Sequence, residues 1–409
     1  MKLDDTTITG LAHTPSPDEP GARLATHVSR LDLTNFRSYP ALRLDVGPQP
    51  VLLTGINGVG KTNLLEALSF LAPGRGLRRA ALPDIARLHD GTAAASWAVA
   101  ARIDGRDGSV SLGTGMEANP NGGPARRAVR IDGEPARGQA TFAERVSMIW
   151  LTPDMDRLFM EGGSARRRFL DRMVYGFDPE HARRIAVYEQ AMRGRQKLLR
   201  DGSGDGAWLA SEEETMATNG IAIAAARREV VLRLDTAIAA EDGLADRPFP
   251  RAALALEGEV EDWLAEGPAL EAEDRLRDVL AAARSRDADA GRALRGPHRS
   301  DLAVRHRDKD MAAALCSTGE QKALLIAIIL AHARLLGLAR GAAPILLLDE
   351  VAAHLDQERR AALAERILSL GAQAWLTGTD RRLFEAFGEN AQSFDVSAGA
   401  VSPATGDSP

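Results

Sequence analysis

Cysteine is almost missing from the sequence, since Cys316 stands alone among 409 residues. A single thiol excludes an internal disulfide framework and any zinc or iron–sulfur site built on paired cysteines. It also fits a reducing compartment, so we expect a cytoplasmic protein. The remaining composition is ordinary, with 44% apolar and 26% charged residues, and predicts a soluble folded chain. At roughly 150 residues per domain, the length predicts more than one domain.

Long apolar runs are also missing. The longest, residues 323–333, is shorter than the roughly 20 residues that a bilayer requires and contains His332, so we expect a buried helix there. The first residues include Asp4 and Asp5, where a secretory signal has a basic start followed by an apolar core. We therefore expect neither export nor a membrane partner.

Lysine and aromatic residues are scarce. Only five of the 51 basic residues are lysines and the net charge is −6, so any DNA-binding surface must be local. Aromatic residues make up 4% of the chain, which makes base stacking on single strands a minor mode. The basic clusters that could neutralise DNA phosphates, or else form solvated faces, are Arg75, Arg78 and Arg79, Arg126 and Arg127, and Arg193, Arg195, Lys197 and Arg200.

The two ends of the chain differ from its middle. Residues 1–27 are polar, contain three prolines and show no period, which predicts a disordered N-terminal extension. Residues 401–409 predict a frayed C-terminal tail. Between residues 94 and 149, short alternating segments punctuated by Asp-Gly pairs predict antiparallel strands joined by hairpins.

A change of period divides the middle of the chain. Apolar residues recur at helical spacing with charged residues between them over residues 164–290, which predicts a helical insertion. We therefore predict an α/β fold in which this inserted arm splits a head formed by residues 28–163 and 291–400. Short apolar runs predict buried strands of the head at residues 50–54, 344–348 and 373–376.

The strongest motif is GINGVGKT at residues 55–62, which fits G-x-x-x-x-G-K-[ST] between a predicted strand and a predicted helix. Glycines let backbone N–H groups surround phosphates, the lysine reaches the terminal phosphates, and the hydroxyl can hold Mg²⁺. The alternative is a plain glycine turn into a helix. The residues predicted to bind ATP are Gly55, Ile56, Asn57, Gly58, Val59, Gly60, Lys61 and Thr62, of which Thr62 is also a predicted metal ligand.

Two carboxylates, Asp349 and Glu350, follow an apolar strand about 290 residues later in the chain. Open α/β sheets bind ligands at the carboxyl ends of their strands. We predict that Asp349 holds Mg²⁺ and that Glu350 orients or deprotonates the attacking water, so that Lys61, Asp349 and Glu350 are the catalytic residues. A strand ending in acidic turn residues is the alternative, and the presence of the phosphate loop disfavours it.

The segment STGEQ, residues 317–321, precedes the apolar helix. Ser317 and Glu320 have the spacing of a capping box. A helix N-terminus that offers a serine hydroxyl and a glycine N–H can also bind a phosphate. The two interpretations are compatible, and the spacing does not choose between them.

Together these motifs resemble the P-loop ATPase head of the ABC and SMC families. The segments that carry this likeness are 55–62, 317–321, 349–350 and, in the place of a D-loop, 353–356. Within that class the chain resembles the RecF family of bacterial recombination and gap-repair proteins. The segments that carry this second likeness are 31–39, 163–171 and 296–302.

The resemblance implies a mechanism. Two heads of such a protein sandwich two ATP molecules, so Ser317 and Gly319 would contact the nucleotide held by Lys61 of the other copy, with Gln321 assigned to the same site. Arg37 would lie near the phosphates, unless it is a solvated arginine in a strand turn. ATP would close this homodimer on duplex DNA near single-strand gaps, and a weak, DNA-dependent ATPase would reopen it by slow hydrolysis. RecR and RecO, and indirectly RecA, are the implied partners.

The chain also departs from related patterns. No histidine follows His354, so the switch histidine of ABC transporters is missing and residues 377–380 occupy that region, which disfavours a transporter subunit. Residues 151–155 lie where a Q-loop belongs but contain no glutamine. RecF-like sequences more often end the acidic strand with two aspartates, where this one has Asp349 and Glu350. The alternative from another class is an SMC-like ATP-binding scaffold without a direct DNA function, which the acidic net charge favours.

Overall fold

A computed structural model describes residues 26–106, 108–117, 126–202, 206–240 and 248–404. It confirms the predicted α/β class. Two large sheets, one antiparallel and one mainly parallel, form the head together with the helices that cover them.

The antiparallel sheet contains the predicted hairpins. Its strands alternate in burial because one face packs on the core and the other faces solvent, as in residues 97–103, where every second side chain is buried. The strands are β1 (His27–Phe36), β2 (Tyr39–Asp45), β6 (Trp97–Gly105), β7 (Gly108–Glu117), β8 (Arg126–Ile131) and β9 (Glu134–Pro135). Their spatial order is β2-β1-β6-β7-β8-β9.

The second sheet positions the predicted site. Its strands are β3 (Val51–Thr54), β10 (Met148–Leu151), β14 (Ile345–Leu348), β15 (Ala374–Gly378), β16 (Gln392–Ser397) and β17 (Ala400–Pro403). Their order is β10-β14-β15-β3-β16-β17, and all neighbours are parallel except β16 and β17. Every residue of β3 and β14 in its centre is buried because both faces are covered. The three strands predicted from apolar runs are all present.

Helices cover both faces of this parallel sheet. Residues Lys61–Ser69 (α1) and the antiparallel sheet pack on one face. Residues Thr318–Arg340 (α9) and Gln357–Leu370 (α10) pack on the other. Among the described residues, α9 is the one helix long and apolar enough to cross a bilayer, and 78% of its most apolar stretch is buried inside the protein. It is the buried helix that the sequence predicts.

The predicted insertion is mostly helical. Its helices are α3 (Gly163–Phe177), α4 (His181–Asp201), α5 (Gly206–Ala240), α6 (Glu259–Glu266), α7 (Ala269–Ala282) and α8 (Arg284–Ala290). Helices α4 to α7 share a hydrophobic cluster of their own, which contains Tyr188, Met216 and Trp263. The second half of α5, from Val230 to Ile238, joins the core of the head instead. The residue boundaries of head and arm stay a prediction.

The insertion also contains one β-strand, and our sequence analysis did not predict it. Residues Ala252–Glu257 (β11) pair with Asp301–His306 (β12), which in turn pairs with Met311–Ala312 (β13). Ala252 and Leu254 are buried at alternate positions of this segment. The segment is a strand only because β12 supplies its hydrogen-bond partners. The remaining elements are the short helix α2 (Leu82–Ile85) and the hairpin of β4 (Leu88–His89) and β5 (Thr92–Ala93).

The structure bears differently on the predictions for the N-terminal and C-terminal ends of the chain. Residues 1–25 of the predicted extension lie outside the described residues, and β1 already begins at His27. The prediction of a frayed tail is wrong for residues 401–403, because they pair with β16 as part of β17. Residues 405–409 lie outside the described part of the chain.

Candidate nucleotide site

The phosphate loop connects β3 to α1 at the carboxyl end of the parallel sheet. Gly58 and Gly60 have φ values of 84° and 115°, in the left-handed region that favours glycine. A Cβ atom on Gly60 would lie 2.6 Å from the Ser38 hydroxyl, so the loop has no room for a side chain there. No side chain caps α1 and its first turn holds no acid, which leaves its N–H groups for an anion. The loop therefore fits a bound phosphate.

Lys61 is the first residue of α1 and is only 4% exposed. Its Nζ donates hydrogen bonds to the carbonyl oxygens of Gly55 (2.6 Å) and Ile56 (2.9 Å). Burial lowers the pKa of Lys61, and the nearby charges of Glu350 and Asp349 act in the opposite direction. The ammonium group thus lies folded over its own loop, beside both predicted acids.

Asp349 directly follows β14 and meets the end of the phosphate loop. Its Oδ1 accepts a hydrogen bond from the hydroxyl of Thr62 (2.9 Å), a residue 287 positions away in the chain. The same oxygen accepts one from the hydroxyl of Thr377 (2.7 Å). The aspartate is 5% exposed. A hydroxyl and a carboxylate in contact are hard oxygen ligands, so Thr62 and Asp349 fit Mg²⁺.

Glu350 is held through its backbone. It has a φ of 48°, which is unusual for a residue with a side chain. Its N–H donates to the hydroxyl of Thr377 (2.8 Å), and its carbonyl accepts a hydrogen bond from the ammonium of Lys322 (3.2 Å). Lys322 also pairs with Asp156 at 3.4 Å. These contacts fix the peptide while leaving the Glu350 carboxylate outside the Asp349 network.

Sequence reasoning missed Thr377 and Lys322. Thr377 is the next-to-last residue of the buried strand β15, where we noted only the missing histidine. Lys322 directly follows the STGEQ segment and is one of only five lysines in the sequence. The scarcity of lysine is the signal from which Lys322 could have been predicted. Asp156 lies just beyond the Q-loop-like residues 151–155, so this region reaches the site through a carboxylate rather than a glutamine.

Arg37 lies beside α1 with its guanidinium engaged. Its Nε and Nη2 donate to the two carboxylate oxygens of Glu66 (2.9 and 2.7 Å), and Nη1 donates to the carbonyl of Asp84 (2.7 Å). Glu66 is fully buried and is also contacted by Arg78 at 3.2 Å. The alternative of a solvated Arg37 is therefore wrong, and its contact with a nucleotide stays a prediction.

The segment 317–321 lies apart from the phosphate loop of its own chain. The capping box is present, with Ser317 accepting from the Glu320 N–H and Glu320 accepting from the Ser317 N–H. The Lys309 ammonium, with further hydrogen bonds from Ser317, lowers the pKa of Glu320 to about 2. Gln321 is buried and donates to the carbonyl of Cys316. Among the described residues, no hydrogen bond or ion pair joins this segment to residues 55–62.

Two of the arginines considered for DNA make contacts within the protein. Arg195 is 1% exposed and pairs with Glu213 (2.9 Å) and Asp287 (2.6 Å), so it is wrong as a DNA contact. Arg127 is half-buried and donates to the carbonyls of Phe70 and Gly74, and burial lowers its pKa to about 10. The exposed members of these clusters are Arg75, Arg78, Arg79, Arg126, Arg193, Lys197 and Arg200.

Comparison with known proteins places the chain. The family described as RecF/RecN/SMC N terminal domain matches residues 27–401. The DNA replication and repair protein RecF of Mesorhizobium japonicum is 52% identical over 380 residues, which cover 92% of this chain and 98% of that protein. The chain belongs to the RecF family. The RecF protein of Rhizobium etli is likewise 52% identical over 374 residues, covering 91% of this chain and 98% of its own length.

Solved structures agree on the fold. RecF of the RecFOR pathway, determined with ATP and with ATPrS, superposes with a TM-score of 0.79 in both cases, at 20% and 19% identity. The match covers 95% and 94% of this chain and 100% and 99% of those chains. The Smc head domain of Pyrococcus furiosus matches with a TM-score of 0.53 at 16% identity, over 93% of this chain and 96% of that one.

Membership of the RecF family decides between the interpretations that the sequence left open. The chain is a RecF-type protein with the head fold of an ATP-binding ATPase, as the motif order predicts. The alternative of an SMC-like scaffold is not supported, because relatives with half of their residues identical are RecF proteins.

Proposed function

We propose that this protein is a nucleotide-gated DNA clamp of recombinational repair. ATP would close two copies on duplex DNA near a single-strand gap, and slow hydrolysis would release them. One observation supports the proposal above all. The end of the phosphate loop, Lys61 and Thr62, lies at the same sheet edge as the two acids, Asp349 and Glu350. The acids follow the loop by some 287 positions in the chain. Such convergence is the arrangement that nucleotide hydrolysis requires.

The chain's own residues suggest how ATP is handled. Lys61 would exchange the carbonyls of Gly55 and Ile56 for phosphate oxygens, since an ammonium prefers an anion to a neutral acceptor. Thr62 and Asp349 would hold Mg²⁺, which when bound neutralises phosphate charge. The Glu350 carboxylate, left outside the Asp349 network, would accept a proton from the attacking water.

The position of the segment 317–321 supports a site shared between two copies. Ser317 is exposed, and a Cβ atom on Gly319 would meet no described residue within 4 Å, so the start of α9 is open to an incoming group. Its contact with the site of its own chain is indirect, through Lys322 and the carbonyl of Glu350. A second copy would bring its own Ser317 and Gly319 to the phosphates held by Lys61.

The DNA and protein partners follow from the family. Exposed arginines such as Arg75 and Arg79 would neutralise backbone phosphates of duplex and gapped DNA without reading sequence. Solved relatives are described as recombination mediators of the RecFOR pathway. We accordingly propose RecR and RecO as partners, assistance to RecA loading, a weak ATPase stimulated by DNA, and action in the cytoplasm.

Fluorescence anisotropy of a gapped duplex tests the gating. Wild-type protein should bind tightly with ATP and weakly without it, and Lys61→Ala should bind weakly in both conditions. The control is Arg382→Ala, which removes a positive charge from an exposed side chain paired with Asp380. Binding should weaken steeply with salt if phosphates dominate. Binding that ignores both ATP and Lys61 would overturn the clamp.

A further inference from the structure

A second cleft lies at the opposite end of α1 from the phosphate loop, beside the edge strand β10. Its empty space is about 420 Å³, including the open mouth. The loop after α1, strand β10, the end of α3 and the second half of α9 line it, and it shares no lining residue with positions 55–62 or 349–350. Nothing in the proposed clamp mechanism uses it.

Arg172 is the cation that lines this cleft beside Trp150. Its guanidinium lies over the rings of Trp150 (4.9 Å) and Phe169 (5.8 Å) and donates to the sulfur of Met155 at 3.5 Å, a weak acceptor. In the described part of the chain, no acid lies within ion-pair distance of it. Burial, followed by the charge of Arg79, lowers the pKa of Arg172 to about 10, so it is still a cation at neutral pH.

The neighbouring arginines behave differently. Arg166 makes a two-pronged ion pair with Asp301, and Arg227 makes one with Asp171. A cation removed from water normally obtains such a partner, because an uncompensated charge is costly to bury. Arg172 is half-buried and lies over two aromatic rings beside the cleft, so an anion that enters the cleft can supply its missing partner.

Two residues that line the cleft each carry a buried polar atom that has no partner among the described residues. Trp150 is 6% exposed, and its Nε1–H, which can only donate, is buried with no hydrogen-bond acceptor among the described residues. His332 is 2% exposed, and its Nδ1 is buried without a partner in the same part of the chain. Tyr175 adds a hydroxyl to the lining.

The state of His332 follows from its other nitrogen. Nε2 lies 3.0 Å from the carbonyl oxygen of Met173, which can only accept, so Nε2 carries the proton. Burial lowers the pKa of His332 to about 4, so the ring is neutral at pH 7 and Nδ1 is an acceptor. The cleft thus offers a cation and a buried donor together with one buried acceptor.

We propose that this cleft binds a phosphate group that carries one proton, either free hydrogenphosphate or the monoanion of a phosphate monoester, whose second pKa is about 6. Arg172 and Trp150 donate to its oxygens, and Nδ1 of His332 accepts the hydrogen of its P–OH group. Sulfate and carboxylates carry no such hydrogen at neutral pH. Arg79, exposed and close enough for its charge to act on Arg172, adds positive potential.

Calorimetric titration with inorganic phosphate tests the site, using the full chain with Lys61→Ala so that the phosphate loop does not compete. We expect saturable binding, with sulfate binding at least about tenfold more weakly because it leaves the histidine acceptor unpaired. Absence of phosphate binding would overturn the proposal, since water would then fill the cleft. Equal binding of sulfate would overturn the role of His332.

Variants locate the binding. In the same background, Arg172→Gln should weaken phosphate affinity at least about tenfold, the range expected for a hydrogen bond to a charged group. Trp150→Phe keeps an aromatic ring at this position and removes the N–H donor together with part of the indole, so it should weaken binding severalfold. It is the second test variant if Arg172→Gln fails to fold. Arg168→Gln, on the exposed side of α3, is the charge-matched control and should bind as before. Unchanged affinity in both cleft variants would overturn the site.

Two duplexes distinguish the source of the phosphate. They differ only in a 5′-phosphate or a 5′-hydroxyl at the strand end, and each competes with inorganic phosphate for the Lys61→Ala protein. Stronger competition by the phosphorylated end, abolished by Arg172→Gln, would show that the cleft binds a nucleic acid terminus. Equal competition would assign the cleft to a small free phosphate.

Discussion

Asp349 and Glu350 are neighbours in the chain with different surroundings. Two threonine hydroxyls, from Thr62 and Thr377, occupy one oxygen of Asp349. Glu350 is instead fixed by its peptide, between Thr377 and Lys322. A single threonine thus orients both acids, and the difference leaves Asp349 suited to hold a metal and Glu350 suited to move a proton.

Replacement of Glu350 by glutamine should separate hydrolysis from binding. The amide keeps the shape but cannot accept a proton, so the hydrolysis rate should fall about 100-fold or more while ATP affinity is retained. A phosphate-release assay and a nucleotide-binding titration measure the two effects. The control is Glu365→Gln, on the exposed face of α10. An unchanged rate for Glu350→Gln would remove this residue from the mechanism.

Arg37 and Arg78 share the buried carboxylate of Glu66 unequally. Arg37 contacts both oxygens and its side chain is 20% exposed, whereas Arg78 contacts one oxygen at 3.2 Å and is 41% exposed. Arg37→Ala should therefore lower the free energy of unfolding by about 2 kcal/mol, and Arg78→Ala by less than about 1 kcal/mol. Urea denaturation measures both. A larger loss for Arg78→Ala would contradict this assignment.

At the scale of elements, a buried polar junction joins three helices of the insertion and reaches the head through Pro297. Asp171 on α3 makes a two-pronged pair with Arg227 on α5 and contacts His181 at the start of α4. Arg227 also donates to the carbonyl of Pro297 at 2.7 Å. Segments 163–171 and 296–302, which carry the resemblance to RecF in the sequence, therefore meet in space. A second link between them is the Arg166–Asp301 pair.

Loss of the Asp171 charge should be costly. Burial acts to raise the pKa of Asp171, but hydrogen bonds and charges from His181 and Arg227 outweigh it and the pKa is lowered. Asp171→Asn leaves Arg227 buried without its counter-ion, so the free energy of unfolding should fall by about 3–5 kcal/mol. The control is Asp45→Asn in the exposed pair with Arg30, where about 1 kcal/mol or less is expected. Equal losses in denaturation would contradict the junction.

At the scale of the whole molecule, a shared site predicts complementation between two defective variants. Lys61→Ala removes the phosphate-binding lysine, and Ser317→Arg places a bulky charge at the open start of α9. Each alone should hydrolyse almost no ATP. Mixed in equal amounts, half of the dimers contain one intact site, so about a quarter of wild-type activity should return. Steady-state hydrolysis of the mixture measures this, and a mixture as inactive as its components would exclude shared sites.

Much of the fold was predictable because its signals are local. The apolar runs of β3, β14 and β15, the phosphate loop and the Ser317 capping box each lie within a few residues, and the structure contains all of them. Strand β11 was not predictable in this way. Its six residues become a strand because β12, some 50 positions later, pairs with them.

The residues of the candidate site also differ in whether local sequence patterns predict them. Local sequence signals are sufficient to predict the phosphate loop and the acids at a strand end, because glycine spacing and apolar periodicity act on neighbouring residues. The contacts of Thr377 with Asp349 and Glu350, the pairing of Glu66 with Arg37, and the lack of an acid beside Arg172 among the described residues arise only in the folded chain. Those outcomes depend on parallel strands and packed helices that bring distant positions together, and no local pattern encodes which charges become partners once water is excluded.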